Sequence, residues 1–270
     1  MTRSPVAVVT GANAGIGRAT AAAIAALGYR TVLACRNPDR AAIAVAEIRA
    51  SSGNDDVESI SLDLSDLRAV VDCAHALRDR HGEIDALVNN AGGFFSHRMV
   101  TPQGFEWSFG VNYLGHHVLT LHLLDAIAAG TPGRVVNVSS IAHRFVRDMR
   151  WDDLQLERGF WVAPAYGQSK LAQILSTREL ARRLAATGVT VSALHPGSNV
   201  RGDLARDGDS VGFIGAFVRF GNHFGMPAPY AARTSVWLAT TPTALPSGRY
   251  WVRGREHRPS AAARSDDGAA

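Results

Sequence analysis

The sequence predicts one α/β domain, in which a parallel sheet of about seven strands is covered by helices on both faces. Short apolar runs rich in valine alternate with helical stretches along nearly the whole chain, and this alternation is typical of parallel strands buried on both sides. A length of 270 residues suits one large domain better than two small ones. A hydrophobic fraction of 46% with 19% charged residues is that of a globular chain.

The predicted elements follow one another in chain order. The strands are VAVVT (6–10), TVLAC (31–35), VESISL (57–62), ALVNN (86–90), RVVNVS (134–139), VTVSALH (189–195) and GRYWV (248–252). Five helices are predicted between these strands. The first ends near Gly28, the second runs through AAIAVAEIRA, and the third through DLRAVVDCAHALRDR. The fourth begins near Gln103, and the fifth extends from about Tyr166 to Ala186. The domain is predicted to span residues 1–258, and the small, polar residues of 259–270 are predicted to form a disordered tail.

Two long segments, 141–165 and 198–229, interrupt the alternation. Loops of this length in a compact domain are usually functional. The second segment is rich in Gly, Phe and Arg, and we predict that it forms a mobile lid. The aromatic residues of these segments either line an apolar pocket or cover the core or a subunit interface. They are Trp151, Phe160, Trp161 and the phenylalanines within 213–224.

The composition argues against several classes of function. A net charge of +4 without a dense basic stripe argues against nucleic-acid binding. Cys35 and Cys73 have neither metal-ligand nor redox-pair spacing, so we expect buried thiols in a reducing compartment. No uninterrupted apolar run is long enough for a membrane span, and the first strand leaves no room for a signal peptide. These observations favour a cytoplasmic protein.

The segment TGANAGIG lies directly after the first strand and opens the first helix. Gly11, Gly15 and Gly17 permit a tight turn, and let the backbone approach a pyrophosphate bound at the helix N-terminus. A glycine-rich loop alone is weak evidence, because many such matches are ordinary turns. Its position between a strand and a helix favours a dinucleotide site.

The end of the second strand, ACRN, bears on the choice of dinucleotide. A carboxylate here would bind the ribose 2′-hydroxyl of NAD, whereas a cation accommodates the 2′-phosphate of NADP. No acid is present, and Arg36 is the nearest charged residue, so NADP(H) is predicted in preference to NAD(H). The alternative is that Arg36 is a solvated surface residue. Asp63, after the third strand, is either a helix N-cap or an adenine contact.

Six motifs occur in order along this pattern: TGANAGIG (10–17), NNAG (89–92), VNYLGHH (111–117), NVSS (137–140), YGQSK (166–170) and HPG (195–197). Together they resemble the short-chain dehydrogenase/reductase superfamily over residues 6–255. The stretch GFEWSFGVNYLGHHVLT and the ACRN strand end further resemble its retinol dehydrogenase-like branch. The resemblance implies a single-domain Rossmann-type doubly wound sheet, a homo-oligomer (dimer or tetramer) and no metal.

The same resemblance implies which residues form the site. The catalytic set is Asn112, Ser140, Tyr166 and Lys170. With the residues already described, the cofactor contacts are Gly11, Asn13, Gly15, Ile16, Gly17, Arg36, Asp63, Leu64, Asn90, Ala91, Gly92, Tyr166, Lys170, Pro196, Gly197 and Ser198. The segment HPGSNVRGDL lacks the threonine that the family commonly places after HPG, so Ser198 or a backbone amide is expected to replace it.

Lys170 is the only lysine in a chain with 28 lysines and arginines. It lies four residues after Tyr166, hence on the same face of a helix. A phenol can protonate the alkoxide formed when hydride reaches a carbonyl, and a neighbouring ammonium is expected to lower the pKa of that phenol. A compact ammonium can also bond ribose hydroxyls, which a planar guanidinium does less well. Ser140 is expected to bond the substrate oxygen, and Asn112 to hold a water between Lys170 and solvent.

These features predict an NADP(H)-dependent oxidoreductase that acts on a hydrophobic alcohol, ketone or aldehyde. Two alternatives remain open. One is an epimerase or dehydratase that recycles its nicotinamide. The other is a non-catalytic nucleotide-sensing protein, although such proteins typically lose the tyrosine–lysine pair. For each catalytic residue taken singly, a structural role is also open: Ser140 as a cap, Asn112 as a buried amide that bonds backbone groups, and Tyr166 as a core residue.

Overall fold

The computed structural model describes residues 3–197 and 226–265. Eight strands form one sheet within these ranges: β1 (Val6–Thr10), β2 (Arg30–Cys35), β3 (Val57–Ser61), β4 (Ala86–Asn89), β5 (Arg134–Val138), β6 (Thr190–His195), β7 (Arg249–Val252) and β8 (Arg255–Glu256). Their order across the sheet is β3-β2-β1-β4-β5-β6-β7-β8. Strands β1 to β7 pair in parallel, and only the two-residue β8 is antiparallel to its neighbour. The predicted parallel α/β sheet is confirmed.

Seven α-helices are described on the two faces of the sheet: α1 (Gly15–Ala25), α2 (Pro38–Ser52), α3 (Leu67–His81), α4 (Trp107–Phe109), α5 (Gly115–Ala129), α6 (Val162–Arg183) and α7 (Ala228–Thr240). A π-helical turn, Gly110–Leu114, joins α4 to α5. Helices α1, α2 and α7 pack on one face, and α3 and α5 on the other. Among the described residues, no helix is long and apolar enough to cross a membrane.

Local sequence explains these boundaries. All five residues of β1 are buried, as expected for a central strand with helices on both sides. Asn37 caps α2 by accepting a hydrogen bond from Arg40 N, and Gly53 ends the helix in the left-handed conformation. Asp66 caps α3 in the same way through Arg68 N. The N-cap role considered for Asp63 is therefore wrong, because the carboxylate that caps α3 is that of Asp66.

Two predicted helix boundaries differ from the structure. The helix expected from Gln103 begins at Trp107, because Thr101 N donates to Phe105 O at 2.8 Å and closes a turn first, and Glu106 then caps the helix. Helix α6 begins at Val162, four residues before Tyr166, because Pro164 is tolerated in a first helical turn. Tyr166 and Lys170 consequently lie inside the helix, where neighbouring turns hold their backbone.

The C-terminal segment also differs from its prediction in part. Residues 259–265 are ordered and include a 3₁₀ turn, Ala262–Arg264. Ala263 is completely buried, and Arg178 of α6 donates to the carbonyls of Ala263 and Ser265. Small residues permit this close packing, whereas in the sequence their small size and polarity favoured the prediction of a disordered tail. Residues 266–270, and most of the predicted lid 198–229, lie outside the described residues.

The strand order reverses at β1 and β4, which are adjacent although β2 and β3 lie between them in the chain. In open α/β sheets, ligands bind in the crevice beyond the carboxyl ends of the strands at such a point. The glycine-rich loop follows β1, the NNAG turn follows β4, and Ser140 comes two residues after β5. The topology therefore brings the predicted motifs to one edge of the sheet.

Candidate active site

The loop after β1 forms a cradle that only glycine permits. Gly11 and Gly15 have φ angles of +64° and +53°. A Cβ atom on Gly17 would lie 2.4 Å from Gly11 O and 2.5 Å from Asn90 Nδ2. Ala14, at the N-cap of α1, provides no side-chain cap, so the first-turn N–H groups keep their capacity for an anion. This cradle fits the pyrophosphate of a dinucleotide, and the partly exposed Asn13 and Ile16 lie within it.

The ends of β1 and β4 are tied together beside this cradle. Thr10 Oγ1 accepts hydrogen bonds from the backbone N–H groups of Asn90 and Ala91, each at 2.9 Å. Asn90 Nδ2 donates to Thr10 O, also at 2.9 Å. A Cβ atom on Gly92 would lie 2.8 Å from Asn112 Oδ1. The NNAG turn is thus held rigidly between the glycine loop and the helix that carries Asn112.

The buried His116 of α5 extends this connection. Its Nδ1 lies 3.1 Å from Asn112 O, and its Nε2 lies 2.9 Å from Thr10 Oγ1. A carbonyl can only accept, so Nδ1–H donates to Asn112 O and Nε2 accepts from the Thr10 hydroxyl. This arrangement requires a neutral imidazole. Burial lowers the pKa of His116 to about 4, which keeps the ring neutral at pH 7.

Arg36, Asp63 and Leu64 are the residues predicted to lie at the adenosine end of the site. Arg36 is exposed directly after β2, where a ribose phosphate would lie. The Asp63 carboxylate accepts from Ser65 N at 2.9 Å and from Ser65 Oγ at 2.7 Å, so it stabilises its own turn. Leu64 is buried in the core beneath Gly115, whose Cβ atom would meet Leu64 O at 2.6 Å. Only the backbone of Leu64 remains to contact a cofactor.

Tyr166, Lys170 and Ser140 come together at the carboxyl end of β5. Lys170 Nζ lies 5.5 Å from the centroid of the Tyr166 ring and donates to Val138 O at 3.0 Å. The Ser140 side chain lies close enough to the Tyr166 phenol to act on its pKa. Ser139 instead donates to Lys170 O at 2.8 Å from a buried position. Of the two serines in NVSS, Ser140 is therefore the one beside the phenol, as the sequence predicts.

The pKa values of this pair differ from the sequence-based expectation. Burial raises the pKa of Tyr166 to about 12, against the opposing effect of the Ser140 hydrogen bond. Burial also lowers the pKa of Lys170 to about 7. The expectation was that the ammonium would lower the pKa of the phenol. Both groups lie in the interior, where desolvation disfavours the phenolate and the ammonium alike.

The amide of Asn112 is fully bonded within the protein. Its Oδ1 accepts from Gly93 N at 3.0 Å, and its Nδ2 donates to Gly93 O at 3.1 Å and to Ser169 Oγ at 3.2 Å. Both amide protons are used, and the residue is completely buried. The side chain therefore bonds backbone groups, as in the structural alternative considered above, and the water expected between Lys170 and solvent stays a prediction.

One aromatic residue of the site was missed in the sequence. The ring of Phe94 lies on that of Tyr166, with a centroid separation of 3.9 Å and an angle of 31° between the ring planes. Phe94 follows NNAG by two positions and is partly exposed. The signal available was its place at the carboxyl end of a central strand, where side chains face the crevice. The stacked ring gives the phenol an apolar neighbour on the open side of the site.

The remaining predicted residues lie at the rim. Pro196 and Gly197 follow β6, and Gly197 has a φ of +121°. Ser198 lies outside the described residues. Trp151 and Trp161 are 55% and 75% exposed, so within the described chain neither covers the core, and Phe160 is partly buried. The side chains of Cys35 and Cys73 are both buried, as predicted.

The chain belongs to the short-chain dehydrogenase family, a family of nicotinamide-dependent oxidoreductases. The family model described as short chain dehydrogenase matches residues 5–207. Retinol dehydrogenase 12 of Mus musculus is 46% identical over 192 residues, which are 71% of this chain and 60% of that protein. Retinol dehydrogenase 13 of Homo sapiens is 38% identical over 265 residues, which are 96% of this chain and 80% of that protein. The resemblance to the retinol dehydrogenase-like branch is confirmed.

Solved structures have the same fold. A protein from Mycobacterium paratuberculosis superposes with a TM-score of 0.75 at 29% identity, over 98% of this chain and 89% of that one. An actinorhodin polyketide ketoreductase with NADPH gives a TM-score of 0.71 at 23% identity, over 98% and 100% of the two chains. A 3-ketoacyl-(acyl-carrier-protein) reductase from Brucella melitensis, complexed with NADH, gives 0.70 at 24% identity, over 92% and 96%. The last two establish the fold alone.

Proposed function

We propose that this chain transfers hydride between NADP(H) and a hydrophobic alcohol or carbonyl compound, and that reduction of a ketone or aldehyde is the favoured direction. The observation that carries the proposal is the buried Tyr166 phenol, which lies close to Ser140 and one helical turn from Lys170, beside a cradle for a dinucleotide. The names of the retinol dehydrogenase relatives support an apolar alcohol or its aldehyde as the class of substrate.

The side chains have complementary roles in this reaction. The bound cofactor supplies the hydride. Tyr166 donates its proton to the substrate oxygen, and the Ser140 hydroxyl bonds the same oxygen while negative charge develops there. A pKa of about 12 keeps Tyr166 protonated at pH 7, which is the form that carbonyl reduction needs. Lys170 then returns a proton to the phenol.

Two further features support the finer parts of the proposal. Arg36 is exposed at the end of β2, where it can pair with a 2′-phosphate, and no acid occupies that strand end. Phe94 covers one face of the Tyr166 ring and offers an apolar surface next to the reacting oxygen. The first favours NADP(H) over NAD(H), and the second favours a hydrophobic substrate.

The experiment is a screen of lipophilic aldehydes and ketones, including retinaldehyde, with NADPH and separately with NADH. We expect one equivalent of NADPH to be consumed for each alcohol formed, at a higher kcat/KM than with NADH. Tyr166→Phe is the control for catalysis by the site. Product without net consumption of the nicotinamide would indicate the epimerase or dehydratase alternative. Cofactor binding without turnover of any compound would indicate a nucleotide-sensing protein.

A further inference from the structure

A small polar cavity lies behind Lys170, between α5 and α6. Its volume is about 10 Å³, and its walls include Tyr113, His117, Asn137, Gln173 and Ser176. A cavity of this size holds about one water molecule, provided that polar partners are present. The cavity is separate from the crevice in which Tyr166 meets Phe94, and no role assigned so far uses it.

Gln173 connects this cavity to the catalytic lysine. Its Oε1 accepts a hydrogen bond from Lys170 Nζ at 3.0 Å. Its Nε2 is buried and has no hydrogen-bond partner among residues 3–197 and 226–265. An unpartnered buried amide costs about 1–3 kcal/mol, so an unpartnered donor on a residue that lines a polar cavity indicates a bound water.

We propose that Gln173 is a positioning residue for proton transfer: its carbonyl oxygen fixes the Lys170 ammonium, and its amide holds a water that restores the proton of Lys170 from the α5 side. The catalytic consequence rests on the proposed function. Asn112, to which the sequence assigns such a water, has already used both amide protons on Gly93 and Ser169. Gln173 has a donor left for this purpose.

The cavity also has a side that reaches solvent. Tyr113, His117 and Ser176 are each partly exposed. His117 Nδ1 lies 2.9 Å from Ser176 Oγ, and burial lowers the pKa of His117, which favours a neutral ring that can both accept and donate a proton. These groups form a polar passage from the cavity to the surface of α5 and α6.

The protons balance over one reduction. Tyr166 gives one to the substrate oxygen, Lys170 gives one to the Tyr166 oxygen, the cavity water gives one to Lys170 Nζ, and solvent gives one to that water. The only electrons transferred are those of the hydride. The chain begins and ends each turnover in the same protonation state, so no further reactant is needed.

Few titratable groups face Lys170. Tyr166 lies on the same helix, and the neutral His116 faces it from α5, while His117 and Tyr113 lie across the cavity. Within the described chain, Lys170 Nζ bonds the neutral oxygens of Val138 and Gln173 and makes no ion pair with a carboxylate. A carboxylate placed at position 173 would therefore be its first anionic partner.

The test uses the fact that Lys170 is the only lysine. Lysine labelled with ¹³C at Cε gives one side-chain resonance, whose titration reports the pKa of Lys170 without any substrate. We expect this pKa to fall in Gln173→Leu and to rise by about 1–3 units in Gln173→Glu, because the new carboxylate favours the ammonium. If Gln173→Leu folds poorly, the titration of the near-isosteric Gln173→Glu still tests the proposal.

Gln168→Leu is the matched control. Gln168 is an equally buried glutamine on α6, but it bonds Arg150 N at 2.9 Å and Leu154 O at 3.0 Å, away from Lys170. Its replacement should leave the Lys170 titration unchanged. The pH profile of kcat should follow the Lys170 pKa in the position-173 variants and not in the control.

Three outcomes would overturn the inference. They are a Lys170 pKa that is the same in all four proteins, a kcat profile that does not follow a shifted pKa, and a high-resolution crystal structure with no water bonded to Gln173 Nε2. Because the titration needs no substrate, its result stands apart from the reductase assay. A wild type that reduces no carbonyl, yet shows the expected Lys170 shifts, would contradict the proposed function and confirm the Gln173–Lys170 pairing.

Discussion

Asn112 and Gly93 exchange two hydrogen bonds, one from Gly93 N to Oδ1 at 3.0 Å and one from Nδ2 to Gly93 O at 3.1 Å. The asparagine amide thus replaces solvent for both backbone groups of a buried residue in the turn after β4. That turn contains Asn90, Ala91 and Gly92, which the sequence assigns to the cofactor. We therefore expect Asn112 to act on catalysis through the shape of the proposed nucleotide site.

Replacing this amide should reduce stability and cofactor affinity together. Asn112→Leu leaves the Gly93 N–H and C=O without partners, at about 1–3 kcal/mol each. We expect the free energy of unfolding in urea to fall by about 2–6 kcal/mol, and the Kd for NADPH to rise. An unchanged urea midpoint and an unchanged Kd, with a large fall in kcat, would instead indicate that Asn112 acts on the chemical step alone.

Phe94 should affect substrate binding more than cofactor binding. Phe94→Ala removes apolar surface beside the reacting oxygen, so it should raise KM for a lipophilic carbonyl by about 10-fold, equivalent to about 1.4 kcal/mol of lost substrate contact. The KM for NADPH should change by less than about twofold on the same physical grounds. Phe95→Ala is the matched control, because Phe95 packs edge-to-face on Trp107 at 6.2 Å instead of on Tyr166. Equal effects of both substitutions would contradict the role of Phe94.

The sequence predicted the central strands closely because they are short apolar runs of the kind that a buried parallel sheet accommodates, whereas the exposed two-residue β8 was missed. β1 has the predicted bounds, 6–10, and β5 ends one residue early, at Val138. The start of α4 was misplaced because the turn at 101–105 and the cap at Glu106 depend on contacts between residues that no periodic pattern reveals. The tight turn expected of the glycines is present, because a Cβ atom on Gly17 would lie 2.4 Å from Gly11 O.

The candidate site was predictable to the extent that motifs determine which residues meet. The contact of Tyr166 with Ser140 follows from their motifs, as does its one-turn separation from Lys170. The pKa directions were not predictable, because they depend on how deeply α6 is buried. The hydrogen-bond partner of Lys170 was not predictable either. In the sequence Gln173 is one polar residue of a helix, and its bond to Lys170 and the cavity beside it are evident only in the structure.

Arg36 provides the test of cofactor preference. A contact between arginine and phosphate is a strong, charge-assisted interaction, so Arg36→Asp should move the ratio of kcat/KM for NADPH and NADH towards NADH by about 10- to 100-fold. Arg233→Asp, the same change of charge at an exposed position on α7, should leave the ratio unchanged. A wild type that already prefers NADH would contradict the assignment of Arg36.

His116 should make the fold sensitive to acid. Its folded pKa of about 4 lies below the usual value of 6.5, so between these pH values the unfolded chain binds a proton that the folded chain does not. Stability should therefore be fully present above pH 6.5 and decline as the pH falls towards 4, by up to about 3 kcal/mol for this group. Urea denaturation across this range should give a shallower pH dependence for His116→Gln than for the wild type. His75→Gln, at an exposed histidine, controls for loss of an imidazole.

Lys170→Arg keeps the charge and changes its shape. Lys170 is 3% exposed and its Nζ fits between Val138 O and Gln173 Oε1, both at 3.0 Å, where the larger, planar guanidinium does not fit. We expect kcat to fall by about 100-fold or more, equivalent to about 2.7 kcal/mol, while the far-ultraviolet circular dichroism spectrum stays that of the wild type. Tyr166→Phe should be at least as damaging, and the double variant little worse than either, because the effects of residues that act as a unit are not additive.

Since no other lysine exists, modification of the native enzyme by a lysine reagent reports on Lys170 and the N-terminal amine, and NADPH should protect Lys170. A fully active Lys170→Arg enzyme would mean that a positive charge at this position suffices, and that the single lysine has no special role.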